Sequence, residues 1–239
     1  MNPGGMKLRY TIGALLCVST LLEGGVLQAQ AAPTAAQSTA FYYGPALPAA
    51  ALSQFDRVVV QADQADPEGL ALLARRGSAV FAYVSLSEIS PVEARGVDTS
   101  FRLGENPDWQ TVIMDAAKPG FRKWLLDTRF QPLWSRGFRA FFLDNLDSYQ
   151  RAVKDPAART AQVKGLAQII TELHARFPGV KLLFNRGFEL LPEVAPLAAG
   201  LAAESLFRGW DPVKHTYGEV PEADRRWLLE RLAPAQRQA

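Results

Sequence analysis

From Phe41 onward, short apolar runs alternate with longer stretches whose apolar residues recur every three or four positions. The short runs predict strands at 41–43, 57–61, 79–85, 111–115, 138–144, 181–185 and 200–204. The clearest helical stretch is 158–177, where Val163, Leu166, Ala167, Ile170, Leu173 and Phe177 share one face. Asp155 offers an N-cap, Pro156 fits the first turn, and Pro178-Gly179 stops the helix. Stretches 119–134 and 221–232 carry the same pattern. Strands that are apolar almost throughout, separated by helices, imply a parallel sheet covered by helices. Seven such strands in one domain favour an α/β fold of the (β/α)8 TIM-barrel type. No glycine-rich nucleotide loop follows the first strand, which weighs against an open doubly wound sheet. The last helix ends near Leu232 and residues 233–239 have no strand character, so the expected barrel is incomplete. It has seven strands, with the eighth missing at the C-terminus.

One strand ends abruptly in polar residues. The apolar Phe141-Phe142-Leu143 runs into Asp144-Asn145-Leu146-Asp147-Ser148. An Asp or Asn there can simply cap a helix or close a turn. Two carboxylates, an amide and a hydroxyl so close to an apolar strand point instead to a site, because barrel chemistry sits at the C-terminal strand ends. The other ends supply Tyr43 and Gly44, Gln61 and Asp63, Tyr83, Ser85 and Glu88, Asp115, Asn185 and Arg186, and Glu204. Neither histidine, His174 nor His215, falls at a strand end, so a metal-dependent deacetylase site and a Ser-His-Asp triad are both unsupported. A pair of carboxyl groups flanking a glycosidic bond remains. Asp144 is one candidate. Glu204 is the other, in Leu201-Ala202-Ala203-Glu204-Ser205, a run apolar enough to raise its pKa unless Arg186 or Arg208 pairs with it. Tyr42, Tyr43, Tyr83, Tyr149 and Trp210 are candidate sugar-stacking rings, or core residues.

The first residues change the picture of where the chain works. Lys7 and Arg9 precede an apolar stretch over 10–22, and Ala29-Gln30-Ala31-Ala32 follows, the pattern of a secretory signal peptide over 1–31. The apolar stretch falls short of the roughly 20 residues a spanning helix needs. Cleavage near Ala31 removes Cys17, the only cysteine, and leaves about 208 residues with no disulfide. The expected organisation is a flexible lead-in at 32–40 and one barrel domain over 41–239. The chain carries a net charge of only +2 and no basic patch, which argues against nucleic acid as a partner. The mature protein is expected to be periplasmic or secreted, without a stable membrane span.

Several segments in one order resemble a known family: Phe41-Tyr42-Tyr43-Gly44, Phe55-Asp56-Arg57-Val58-Val59-Val60, Gly104-Glu105-Asn106-Pro107, the run from Gly137 to Tyr149, Phe184-Asn185-Arg186-Gly187-Phe188, and Ala203-Glu204-Ser205-Leu206-Phe207. The chain resembles the N-terminal glycoside hydrolase domain of the Pel exopolysaccharide proteins, related to the endo-α-1,4-polygalactosaminidase family. That resemblance implies an exported (β/α) barrel that cleaves a galactosamine-rich, partly N-acetylated α-1,4 polymer internally. It places the catalytic pair on Asp144 and Glu204, with Asp144 as nucleophile and Glu204 as general acid/base of a retaining reaction. The two roles are exchangeable on sequence grounds. Tyr43, Asp63, Tyr83, Glu88, Asn145, Asp147, Tyr149, Asn185, Arg186 and Trp210 are the expected substrate contacts, Asp63, Glu88, Asp115 and Asp147 being candidates for the sugar amines. No cofactor is implied. The partners are the polysaccharide and, as a second candidate, its export machinery. A different class of function follows from the missing strand: a truncated, non-catalytic barrel fragment or carbohydrate-binding remnant of a larger polysaccharide-processing protein.

Overall fold

The computed structural model describes residues 37–211 and 214–236. The signal-peptide assignment at 1–31 lies outside the described residues. Eleven strands occur among them: β1 (Thr39–Tyr42), β2 (Arg57–Val60), β3 (Ala79–Ser85), β4 (Glu88–Ile89), β5 (Arg102–Asn106), β6 (Thr111–Met114), β7 (Ala140–Asp144), β8 (Lys181–Asn185), β9 (Ala198–Ala202), β10 (Arg208–Asp211) and β11 (Thr216–Glu219). Six form a parallel sheet in the order β1-β2-β3-β7-β8-β9. It is a curled half-barrel of the TIM type.

Two expectations need correction. The run at 111–115 is not a barrel strand: β6 lies between β4 and β5 in a separate antiparallel sheet. A run of three apolar residues, Val112-Ile113-Met114, reads alike in either setting, so its pattern could not tell them apart. The parallel strands therefore number six among the described residues. The sheet also begins earlier than expected, because Thr39 and Ala40 pair with Arg57 and Val58 inside the stretch assigned to the lead-in.

Alternation along the strands sorts the core into two layers. Val58, Val60, Ala82, Val84, Phe141, Leu143, Leu182 and Phe184 point to the helix-covered face and join the main core with Leu166, Ile170 and Leu173. Val59, Phe81, Ala140, Phe142 and Leu183 point the other way and form a smaller concave layer, with Tyr83 and Ala202 packed against it. Phe41 closes onto Phe142 with ring centroids 5.2 Å apart. Arg57 shares the parity of Val59, and its Nη2 donates to the Ala199 carbonyl on β9 at 3.2 Å. One guanidinium thus crosses the concave side from β2 to the far edge strand.

The helices follow the pattern closely. Pro156–Arg176 is capped by Asp155, whose carboxylate accepts from Ala158 N at 2.7 Å. The helix expected over 119–134 is present but interrupted: Pro119–Leu125 and Gln131–Ser135 flank a π-helical segment, Leu126–Phe130. Pro132 has no N–H to continue the α-helical ladder there. Glu222–Gln236 accounts for the last predicted helix. Among the described residues, no helix is long and apolar enough to cross a membrane.

Gly165 shows how tightly the long helix is set. A Cβ there would lie 2.1 Å from the Ala116 carbonyl oxygen and 2.4 Å from its carbon. Gln162, one turn earlier, accepts from Ala116 N at 3.0 Å and donates to Asp115 Oδ1 at 2.6 Å. Alanine would normally gain about 1 kcal/mol over glycine in a helix. Here the obstacle is backbone, which cannot rotate away, and overpacking of this kind costs about 3 kcal/mol. Gly165→Ala is therefore expected to lower stability by about 2 kcal/mol net, read from urea unfolding. A stabilised variant would show that the helix does not pack on Ala116 so closely.

Candidate active site

Three chain segments turn sharply just past candidate residues. Asn145 (φ 58), Arg186 (φ 58) and Ser205 (φ 62) all adopt left-handed backbone, immediately after Asp144, Asn185 and Glu204. Each such non-glycine residue costs roughly 1 kcal/mol or more, and persists only where its surroundings hold it. The Asn145 side chain donates to Ser85 Oγ at 2.8 Å, and the backbone carbonyl of Asn145 accepts from the Ser87 hydroxyl. Arg186 N donates to Ala202 O at 2.8 Å. The chain is thereby steered away from the strand axis, and the preceding side chains remain on the rim of the concave layer.

Strand parity decides which of them meet. Tyr83, Asp144 and Asn185 share the concave parity of Phe81, Phe142 and Leu183. Tyr83 OH donates to Asp144 Oδ2 at 2.7 Å, and Asn185 Nδ2 donates to Asp144 Oδ1 at 2.8 Å. Both carboxylate oxygens of Asp144 are thus held, one from each neighbouring strand. Asn185 is buried and its Oδ1 has no hydrogen-bond partner, so its amide is committed to donating.

Glu204 stands against this group. Its pKa is raised, first by desolvation and then by the like charge of Asp144, while a hydrogen bond from Asn185 and the charge of Arg186 hold the rise back. The side chain still presents considerable surface to solvent. Asn185, bonded to Asp144, thus also acts on the Glu204 carboxyl group. Tyr43 completes the cluster: 47% exposed, it meets the Tyr83 ring edge-on at 5.5 Å. Burial, then the charges of Asp144 and Glu204, push its phenol pKa up. Tyr83 is pushed up as well, by burial first and Asp144 next, so both phenols stay protonated donors.

Asp147 and Arg186 flank the pair. Arg186 Nε lies 3.9 Å from Asp147 Oδ2, and its guanidinium sits 5.4 Å from the Trp227 ring. Burial raises the Asp147 pKa, with Arg186 opposing. Beyond Tyr83 lies a cleft of about 500 Å³, lined among others by Asp63, Ser85, Glu88, Arg129 and Asn145. Asp144 and Glu204 are not in its wall, so cleft and pair are adjacent, joined through Tyr83. Glu88 faces it already engaged, accepting from Asn106 Nδ2 at 3.1 Å and from the Thr111 hydroxyl.

Three expected contacts stand elsewhere. Tyr149 is 3% exposed and packed in the main core, because the short helix Tyr149–Ala152 turns it inward; its ring offers no face to a sugar. Asp115 accepts from Ala117 N at 3.0 Å and from Gln162, which makes it a cap and a brace for the long helix. Trp210 lies on the β10–β11 hairpin among other rings, not beside Asp144 in the sheet.

A family model matches residues 26–225, most of the chain, and is described as glycoside-hydrolase family GH114. The chain belongs to glycoside-hydrolase family GH114. Among solved structures, this GH114 chain is similar to the glycoside hydrolase domain of PelA from Pseudomonas aeruginosa, at 38% identity and a TM-score of 0.77. That match covers 84% of this chain and 80% of the other. A single glutamate-to-alanine variant of the same domain matches at a TM-score of 0.76. Ega3 of Aspergillus fumigatus, solved in complex with galactosamine, matches at 19% identity and a TM-score of 0.56, over 69% of this chain and 65% of that one. At that identity the likeness to Ega3 is one of fold. No curated protein matches the sequence. The resemblance to the Pel glycoside hydrolase domain, read from the motifs, is borne out.

Sequence reasoning passed over Trp109. It sits in the turn between β5 and β6, flanked by Asp108 and Gln110, and is 59% exposed. A tryptophan among polar residues, two positions after the proline of Asn106-Pro107, was the available signal.

Proposed function

We propose that this GH114 chain is an endo-acting glycoside hydrolase that cleaves α-1,4-linked galactosamine/N-acetylgalactosamine exopolysaccharide with retention of configuration. The observation that carries the reading is Asp144, held at both oxygens by Tyr83 and Asn185, with Glu204 and its raised pKa beside it. A fixed carboxylate suits attack on an anomeric carbon, since a reacting atom must be held in near-attack geometry. A carboxylic acid that holds its proton to higher pH than an ordinary glutamate suits donation to the departing glycosidic oxygen. In this reading Asp144 attacks, forming a glycosyl ester as the C–O bond breaks. Glu204 gives its proton to the leaving oxygen, then takes one from the water that opens the ester. Tyr43, Asp63, Glu88, Asn145, Asp147 and Arg186 supply contacts to the sugar hydroxyls and amines, and Trp210 stacks farther along the chain. The work is done in the periplasm or outside the cell, on the polymer itself, with its export machinery as a second partner.

The test is incubation of the purified chain with a partly N-acetylated α-1,4-galactosamine polymer. Oligosaccharides released before monomer, with the α-anomer seen first by proton NMR, are the expected result. A β-anomeric first product would overturn retention. Binding without new reducing ends would favour a carbohydrate-binding remnant, a reading that the open edges of β1 and β9 keep in view.

A further inference from the structure

Two hairpins lie near the carboxylate pair, one following Glu88 and one following Glu204, and aromatic rings on them meet. The β5–β6 hairpin is pinned below its turn, where Asn106 and Thr111, paired with each other across the strands, both bond Glu88 just past β3. Asp108 in that turn is tied to Arg151 at 2.8 Å. The β10–β11 hairpin follows Glu204 closely, and Gly209 on β10 lies against Ser205. Trp210 and Tyr217 are direct cross-strand partners, with centroids 5.4 Å apart. Trp109 reaches the same rings from the other hairpin, 6.2 Å from Trp210.

The outer members of this row are the exposed ones, Trp109 at 59% and Tyr217 at 61%. Single exposed rings are ordinary, but three in contact, assembled from separated segments, form a platform that folding alone does not require. Galacto-configured pyranoses suit such a surface. Their axial O4 leaves C3, C4 and C5 hydrogens together on one face, an apolar patch the size of an indole. A protonated amine on the same sugar adds attraction to the ring face.

We propose that Trp109 and Tyr217, joined through Trp210, form a distal subsite that holds galactosamine units of a long chain beyond the carboxylate pair. The proposal rests on the polymer named under the proposed function and deepens it: the shelf discriminates long chains from short ones. Trp109→Ala/Tyr217→Ala is compared with the parent in two assays. In affinity electrophoresis through gels containing the galactosamine polymer, the parent is expected to be retarded and the variant to bind about tenfold more weakly. In a gel with chitosan, which carries the same amines but no galacto face, parent and variant should differ little. Cleavage of a tetrasaccharide should change less than twofold, and Trp109→Phe in place of alanine should restore most binding. Unchanged retardation of the variant, absence of retardation in the parent, or an equal loss on chitosan would each overturn the shelf. Because binding is read without turnover, shelf-dependent retardation with no tetrasaccharide cleavage would uphold the subsite and count against the glycosidase alone.

Discussion

Asp144→Asn is expected to lower polymer cleavage by about 10⁴-fold while leaving the fold intact. Asparagine keeps the volume and still lets Tyr83 and Asn185 approach one side of the group. It cannot form the glycosyl ester, however, and it places an amide N–H against a neighbouring donor. The thermal midpoint should move by only a few degrees, because the lost charge sits at the rim of the sheet rather than in its core. A second measurement separates a nucleophile from a base. Asp144→Ala leaves space beside Tyr83, so added azide should restore turnover and yield a glycosyl azide of inverted configuration at the anomeric carbon. A glycosyl azide of retained configuration, formed when azide opens an ester on Glu204, would instead make Asp144 the acid/base and Glu204 the nucleophile.

Glu204→Gln should cost about 10³-fold on the polymer, within the range for loss of a proton donor. On an aryl galactosaminide, whose leaving group needs no proton, the loss in the first step should be far smaller. The pH dependence follows from the direction of the shift. Desolvation and the charge of Asp144 disfavour the carboxylate, so the proton is held to higher pH than on an ordinary glutamate. Activity should persist below that raised pKa and fall as pH rises through it. The same shift acts on stability in a matching sense: folded protein binds the proton more tightly than the unfolded chain, so Glu204 lowers stability once pH passes the unfolded value. In the glutamine variant the alkaline limb of kcat/KM should disappear. A profile identical to that of the parent would assign the limb to another group, with Asp147, also raised, the first to examine.

The two catalytic candidates were legible for different reasons. Asp144 stands out because an apolar strand rarely ends in so many polar groups, and Glu204 because a charge interrupts small apolar residues. Their partner Asn185 was visible only as the end of another strand. That its amide reaches Asp144 depends on β7 and β8 lying side by side, which no local pattern states. Tyr149 and Asp115 illustrate the opposite case. Each follows a strand and looks available, yet one turns into the core and the other braces a helix. Direction of a side chain after a strand end is set by the loop's dihedral angles, and sequence constrains those weakly.

The sequence by itself determined the alternation of strands and helices and the caps of the long helix, and it marked the strand ends where polar residues gather. These follow from local rules: a period of two or of 3.6, a missing N–H at proline, the cost of an unpaired charge among apolar groups. Only the tertiary structure decided that 111–115 leaves the parallel sheet, that Asp144, Asn185 and Glu204 converge, and that Trp109 meets Trp210. Those outcomes depend on contacts between residues far apart in the chain, whose energies are comparable among alternatives until the whole sheet has chosen its neighbours.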